Sequence, residues 1–98
     1  MRKLVAHRRE DHVAVAVTDL APGEEVEVSV LEGGPPLRVL VCEPIPLGHK
    51  VALRNIGEGE IVREYGEAIG RATRPIPAGA HVHTHNLRSL RWDFGRKA

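Results

Sequence analysis

Cysteine occurs only once in this chain, so no internal disulfide can staple the fold. Because Cys42 lies in an apolar run, it reads as a small buried core residue in a reducing compartment, with the cytoplasm as the default. Aromatic residues make up 3% of the sequence, too few for the stacking platform of a single-strand nucleic-acid binder. The formal net charge is +1, which argues against a dedicated nucleic-acid protein, although basic residues gather at both ends (Arg2, Lys3, Arg8, Arg9; Arg88, Arg91, Arg96, Lys97). No apolar run is long enough to span a bilayer. The start, Met1-Arg2-Lys3-Leu4-Val5-Ala6-His7-Arg8-Arg9, turns charged too soon for a secretion signal. Long helical periodicity is also missing. Neither membrane nor nucleic acid is an expected partner.

What is present suits one domain: 98 residues with 42% hydrophobic content, enough for a modest core. His12-Val13-Ala14-Val15-Ala16-Val17 is β-branched and apolar with small alanines between, and predicts a strand. Val26, Val28 and Val30 alternate with Glu25, Glu27 and Ser29, as a strand with one wet face does. Gly33-Gly34-Pro35-Pro36 breaks it. Leu37-Arg38-Val39-Leu40-Val41-Cys42 is more apolar and is expected to be more central, ending at Pro44 and Pro46. Tyr65-Gly66 reads as a bend, with Ile69 and Ala72 set against a neighbouring strand.

A short phrase recurs. Leu20-Ala21-Pro22-Gly23 leads to Val26, and Ile45-Pro46-Leu47-Gly48 to Val51. Ile56-Gly57-Glu58-Gly59 leads to Val62, and Ile76-Pro77-Ala78-Gly79 to Val82. In each, an aliphatic anchor packs down, the glycine turns the chain at positive φ, and a valine starts the next strand facing the core. Four copies in so short a chain predict an all-β domain of short strands and tight turns, and their irregular spacing excludes a solenoid.

Three of the six histidines fall at alternate positions in His81-Val82-His83-Thr84-His85-Asn86. On an extended strand they would share one face. Imidazoles in a row can ligate divalent metals, move protons near neutral pH, or hydrogen-bond a polyhydroxy substrate. Equally, His83 and His85 could hydrogen-bond within the domain. His7 and His12, near the terminus, read as surface residues, and Tyr65 as a packing residue with a wet hydroxyl. Leu87, Leu90, Trp92 and Phe94 form an apolar series among arginines. This divides the chain into a domain over 1–87 and a tail over 88–98, either folded back or an anchor for another chain.

These elements resemble the SAF domain of the altronate/galactarate dehydratase family, of which the sulfolactate sulfo-lyase small subunit is a relative. The matching residues are Asp11-His12-Val13-Ala14-Val15-Ala16, Asp19-Leu20, Gly23, Ile45-Pro46-Leu47-Gly48-His49-Lys50-Val51-Ala52-Leu53 and Ile56-Gly57-Glu58-Gly59. Tyr65-Gly66, Ile69-Gly70, Ala72 and Val82-His83-Thr84-His85-Asn86-Leu87 complete them. Gly48-His49-Lys50-Val51-Ala52 and Val82-His83-Thr84-His85-Asn86 are the most specific. Two positions depart from the pattern. His12 stands where the family carries asparagine, and His81 falls where the family varies.

The resemblance implies an all-β SAF, or β-clip, fold and a large catalytic dehydratase subunit on another polypeptide. It implies dehydration of a sugar acid through loss of the α-proton and the β-hydroxyl, with a divalent metal (Fe2+, Mn2+ or Mg2+) shared with that subunit. His83 and His85 become candidate metal ligands or acid–base groups, with Lys50 as a further catalytic candidate. His49 and Asn86 become candidate substrate-binding residues, Asn86 orienting a ligand or a histidine. Two histidines make an incomplete metal site, so the remaining ligands are expected from the partner or substrate. Rival readings are a sulfolactate sulfo-lyase small subunit and a non-catalytic SAF binding or assembly module, because fold does not decide function. Homo-oligomerisation is left open.

Overall fold

The computed structural model describes residues 3–90. Among the described residues nine short strands run in order: β1 (Leu4–Ala6), β2 (Val13–Ala16), β3 (Glu25–Val30), β4 (Leu37–Leu40), β5 (Lys50–Ala52), β6 (Ile61–Glu64), β7 (Glu67–Ala72), β8 (His81–Val82) and β9 (Leu87–Ser89). Six form one sheet, ordered β4-β3-β1-β2-β5-β8, and three form another, ordered β6-β7-β9. β1 and β3 are parallel and the other named pairs antiparallel. The chain has the all-β SAF fold.

Alternation divides the core in two. Ala14, Ala16 and Val51 face one apolar cluster with Leu4, Val26, Val28 and Ile45. Val13, Ala52 and Val82 face the other with Ile56, Val62 and Ile76. β2 and β5 are thus buried on both sides, which is why alanine alternates with valine there: one face must stay thin for both clusters to pack.

The four phrases build the same turn four times. Gly23, Gly48, Gly59 and Gly79 all lie at positive φ, between 83° and 92°. Each glycine N–H donates to a carbonyl whose own residue donates its N–H back to the residue after the glycine. Gly23 donates to Val41 and Val41 to Glu24; Gly48 donates to Ala16 and Ala16 to His49. Gly59 donates to Ala72 and Ala72 to Glu60; Gly79 donates to Ala52 and Ala52 to Ala80. The turns are also paired, by reciprocal bridges of Leu20 with Ile45 and of Ile56 with Ile76. Side chains repeat the pairing: Asp19 accepts from the Leu47 N–H and Asn55 from the Ala78 N–H, both in the turn opposite. Glu24 and Glu60 accept from the N–H three residues back. Those bonds come first, then Lys3 and His12 respectively, in holding both carboxyls below the usual glutamate range. The chain is two like halves, each closed by a pair of turns.

The Tyr65-Gly66 bend is present, with both residues at positive φ. Its amides point at Asp11, which is 1% exposed and accepts from Tyr65 (2.8 Å), Gly66 (3.1 Å) and Arg8 (3.2 Å). His12 is not the surface residue expected; its side chain is only 13% exposed. Its Nδ1 accepts the Arg63 N–H, leaving the proton on Nε2 to donate to Glu60. That acceptor is one an asparagine oxygen could supply at the same place.

Four further points differ from expectation. Leu37–Leu40 is an edge strand, not a central one, and Leu40 is 59% exposed. Cys42 is exposed, because Val39 and Val41 take the inward positions of an alternating stretch and leave Leu40 and Cys42 outside. The histidine strand stops at Val82. Arg88 and Ser89, placed in the tail by sequence, lie in β9, paired with Arg71 and Gly70. Trp92 and Phe94 lie outside the described residues.

A Cβ on Gly79 would run into the Leu40 carbonyl oxygen, whereas one on Gly48 meets nothing. Gly48→Ala is expected to cost only the left-handed backbone penalty, about 1–2 kcal/mol. Gly79→Ala must also displace the end of β4, for a total of about 3 kcal/mol or more. Urea unfolding of the two variants checks the order.

Candidate functional site

His49 directly follows the glycine of the second turn, and His81 comes two residues after the glycine of the fourth. The strands they enter, β5 and β8, are antiparallel neighbours with Val51 opposite His81 and Lys50 opposite Val82. One step further, that register sets His49 across from His83, and their rings stack with centroids 4.5 Å apart. His49 Nδ1 lies 2.8 Å from His81 Nε2. His81 is also 5.4 Å, ring to ring, from both His83 and His85. The sheet pairing therefore brings four imidazoles to one patch, His49 and His81 half-buried, His83 and His85 exposed.

The shared face does not come from a continuous strand. After Val82 the chain turns, with Asn86 and Leu87 both donating to the His83 carbonyl. Asn86 closes the turn: it is 4% exposed, accepts the His83 N–H at Oδ1 (2.9 Å) and donates from Nδ2 to the His81 carbonyl (2.8 Å). An asparagine side chain that makes its own local turn competes with strand pairing, and here it wins. Its amide is spent on backbone and holds the loop that carries the histidines.

Burial, then the neighbouring His49, His85 and His83, disfavours the charged form of His81 and lowers its pKa from 6.5; Glu43 acts the other way. At neutral pH His81 is an uncharged imidazole, as a ligand or general base must be. Two donor groups meet metal-site spacing, each with its ligand atoms within 4.8 Å of one another: His49, His81 and His83, and Glu43, His81 and His85. Residue by residue, then, His83, His85 and His49 are brought together, Asn86 lies beneath them, and Lys50 is elsewhere. Its Nζ is 3.8 Å from Glu64, at a groove of about 620 Å³ lined also by Glu67, Ile69 and Leu87. Alternation on β5 sends Lys50 to the face opposite His49.

Sequence reading set His81 aside and missed Glu43. The HxHxH spacing could have kept His81 in view. Nothing in Cys42-Glu43-Pro44 marks the glutamate, which arrives by tertiary folding alone. Removing the Asn86 amide strands the His83 N–H and the His81 carbonyl. Asn86→Ala is expected to cost about 2 kcal/mol in urea unfolding, and to disperse the His49–His81–His83 ring contacts, read as changed imidazole NMR shifts.

The model of the altronate/galactarate dehydratase SAF domain matches residues 2–90. The chain is 37% identical to the (2R)-sulfolactate sulfo-lyase subunit alpha of Chromohalobacter salexigens, over 90% of this chain and 95% of that protein. It is 44% identical to altronate dehydratase of Escherichia coli over 81% of this chain but 15% of that protein. It is 56% identical to galactarate dehydratase (L-threo-forming) of Escherichia coli over 43% of this chain and 8% of that protein. The chain thus spans nearly all of the sulfo-lyase subunit and only a small part of the dehydratases. These relatives are lyases or subunits of lyases. With a family match covering every described residue, the chain belongs to the altronate/galactarate dehydratase SAF-domain family.

Proposed function

We propose that this chain is the small subunit of a carbon–oxygen hydro-lyase that dehydrates an altronate- or galactarate-like sugar acid. It lends imidazoles to a pocket completed by a large catalytic subunit. The observation that carries the reading is the exposed patch of His49, His81, His83 and His85, held from below by Asn86. The patch is open to solvent. A reaction that must exclude water needs a second surface to close it.

Dehydration begins with removal of a weakly acidic proton next to a carboxylate and ends with departure of the β-hydroxyl. His83 and His85, on the exposed side, are the groups that reach substrate: one neutral imidazole takes the α-proton, and a protonated one gives a proton to the leaving hydroxyl. His49 orients the substrate from the half-buried side and His81 stays neutral behind them. Lys50, on the opposite face of β5 from the histidines and beside Glu64, lies outside this pocket. A divalent ion, when bound, would hold the carboxylate and spread the enediolate charge. The donors present suit it: clustered imidazoles favour iron among the three expected ions, and fit magnesium poorly.

A second reading is the small subunit of a sulfolactate sulfo-lyase, favoured by the near full-length match to such a subunit. Loss of sulfite in place of water begins with the same α-proton abstraction and uses the same imidazoles. The test is reconstitution with the large lyase chain and assay on aldonates, aldarates and sulfolactate. His83→Ala and His85→Ala are each expected to lower kcat/KM by about 10²–10⁴-fold, the range of a lost acid–base group. Full activity in both variants would contradict the assignment, and activity on sulfolactate alone would select the second reading.

A further inference from the structure

From sequence, His83 and His85 are this chain's candidate metal ligands and the others are expected from a partner or substrate. Yet three imidazoles already converge within the chain from separate supports: the Gly48 turn, the start of β8 and the turn closed by Asn86. We propose that the chain alone holds one divalent transition ion, on His49 Nδ1, His81 Nε2 and a ring nitrogen of His83, with a fourth position open to solvent. This rests on the reading above and deepens it: the site's ion is supplied without the large subunit, and with His83 on the ion the proton-transfer role falls to His85.

Geometry favours this set. A tetrahedral ion with nitrogens at 2.0–2.1 Å needs them about 3.4 Å apart. His49 Nδ1 and His81 Nε2 are 2.8 Å apart, joined by a shared proton, and all three donor atoms lie within 4.8 Å of one another. An ion replaces that proton bridge when the donating imidazole moves its proton to its other ring nitrogen, a change of tautomer with no net change in charge. Changes of about 0.6 Å between the His49 and His81 nitrogens, and of at most about 1.4 Å to the exposed His83, complete the fit. The all-nitrogen donor set selects zinc, cobalt, nickel or iron over magnesium and calcium.

The second donor group, Glu43 with His85, shares His81 with the first. A neutral imidazole has one lone pair to give, so His81 serves one ion at a time and the stoichiometry is one per chain. The ion belongs to the His49 side because all three rings there contact one another, with centroids 4.5–5.4 Å apart. Glu43 compensates charge from the flank.

The test uses the untagged, isolated full chain titrated with Zn2+ by calorimetry and with Co2+ by visible absorption. One ion per chain and the intense bands of a four-coordinate cobalt site are expected. His49→Gln and His81→Gln should each weaken binding by more than about 100-fold. Glu43→Gln should change it by less than about 10-fold, as a group outside the ligand set. His7→Gln, a histidine outside the patch, should leave it unchanged, and melting of each ion-free variant verifies that it folds. No binding by the wild-type chain, unchanged binding in His49→Gln, or an equal loss in Glu43→Gln would each overturn the proposal. Binding is read without substrate or partner, so an inactive reconstituted complex bears only on the lyase reading.

Discussion

Each of the four repeated turns rests on a glycine in the left-handed region, three residues after a buried aliphatic side chain, giving its N–H to a strand that returns a bond one residue later. A small chain with almost no aromatic residues has little apolar area with which to hold strands in place. Reciprocal backbone bonds supply the missing specificity. They fix where each strand begins and which residue of it faces inward. Both bridged pairs, Leu20 with Ile45 and Ile56 with Ile76, follow the same plan down to the side chains that cap them. The histidine patch is a by-product of that plan. His49 and His81 leave equivalent turns, and the strands they enter are antiparallel neighbours.

How much of this was legible depended on whether a feature was local. The turns were readable because positive φ almost demands glycine, and a valine at a fixed offset marks the inward position. The Tyr65-Gly66 bend was readable for the same reason. Strand order was not: Leu37-Arg38-Val39-Leu40-Val41-Cys42 is as apolar as a central strand, and only pairing partners distant in sequence make it an edge. Cys42 was misplaced with it, since apolar content was weighed above the alternation that Val39 and Val41 display. The histidines shared a face as expected, but through a turn that Asn86 closes. His49 joined them from more than thirty residues away, and no local pattern announces a cross-strand neighbour. Glu43 was invisible for that reason.

The patch combines two properties that usually conflict. Its backbone is rigid, locked by a buried asparagine and a sheet register, while two of its imidazoles are open to solvent. Burial keeps His81 neutral without hiding its neighbours. Preorganised groups on an unclosed surface suit a site finished by another molecule, where catalytic residues are held in position before substrate arrives. The family's lyases offer the setting: in the altronate dehydratase of Escherichia coli the matching region is 15% of the protein.

Central to the account is the proposal that a large lyase chain covers the histidine face. Hydrogen–deuterium exchange of the chain, alone and with that partner, measures this most directly. Added protection is expected over residues 46–51 and 81–87, with none at the Gly33-Gly34-Pro35-Pro36 turn on the far edge of the larger sheet. Protection confined to that far turn, or unchanged exchange over 81–87 in a stable complex, would contradict it.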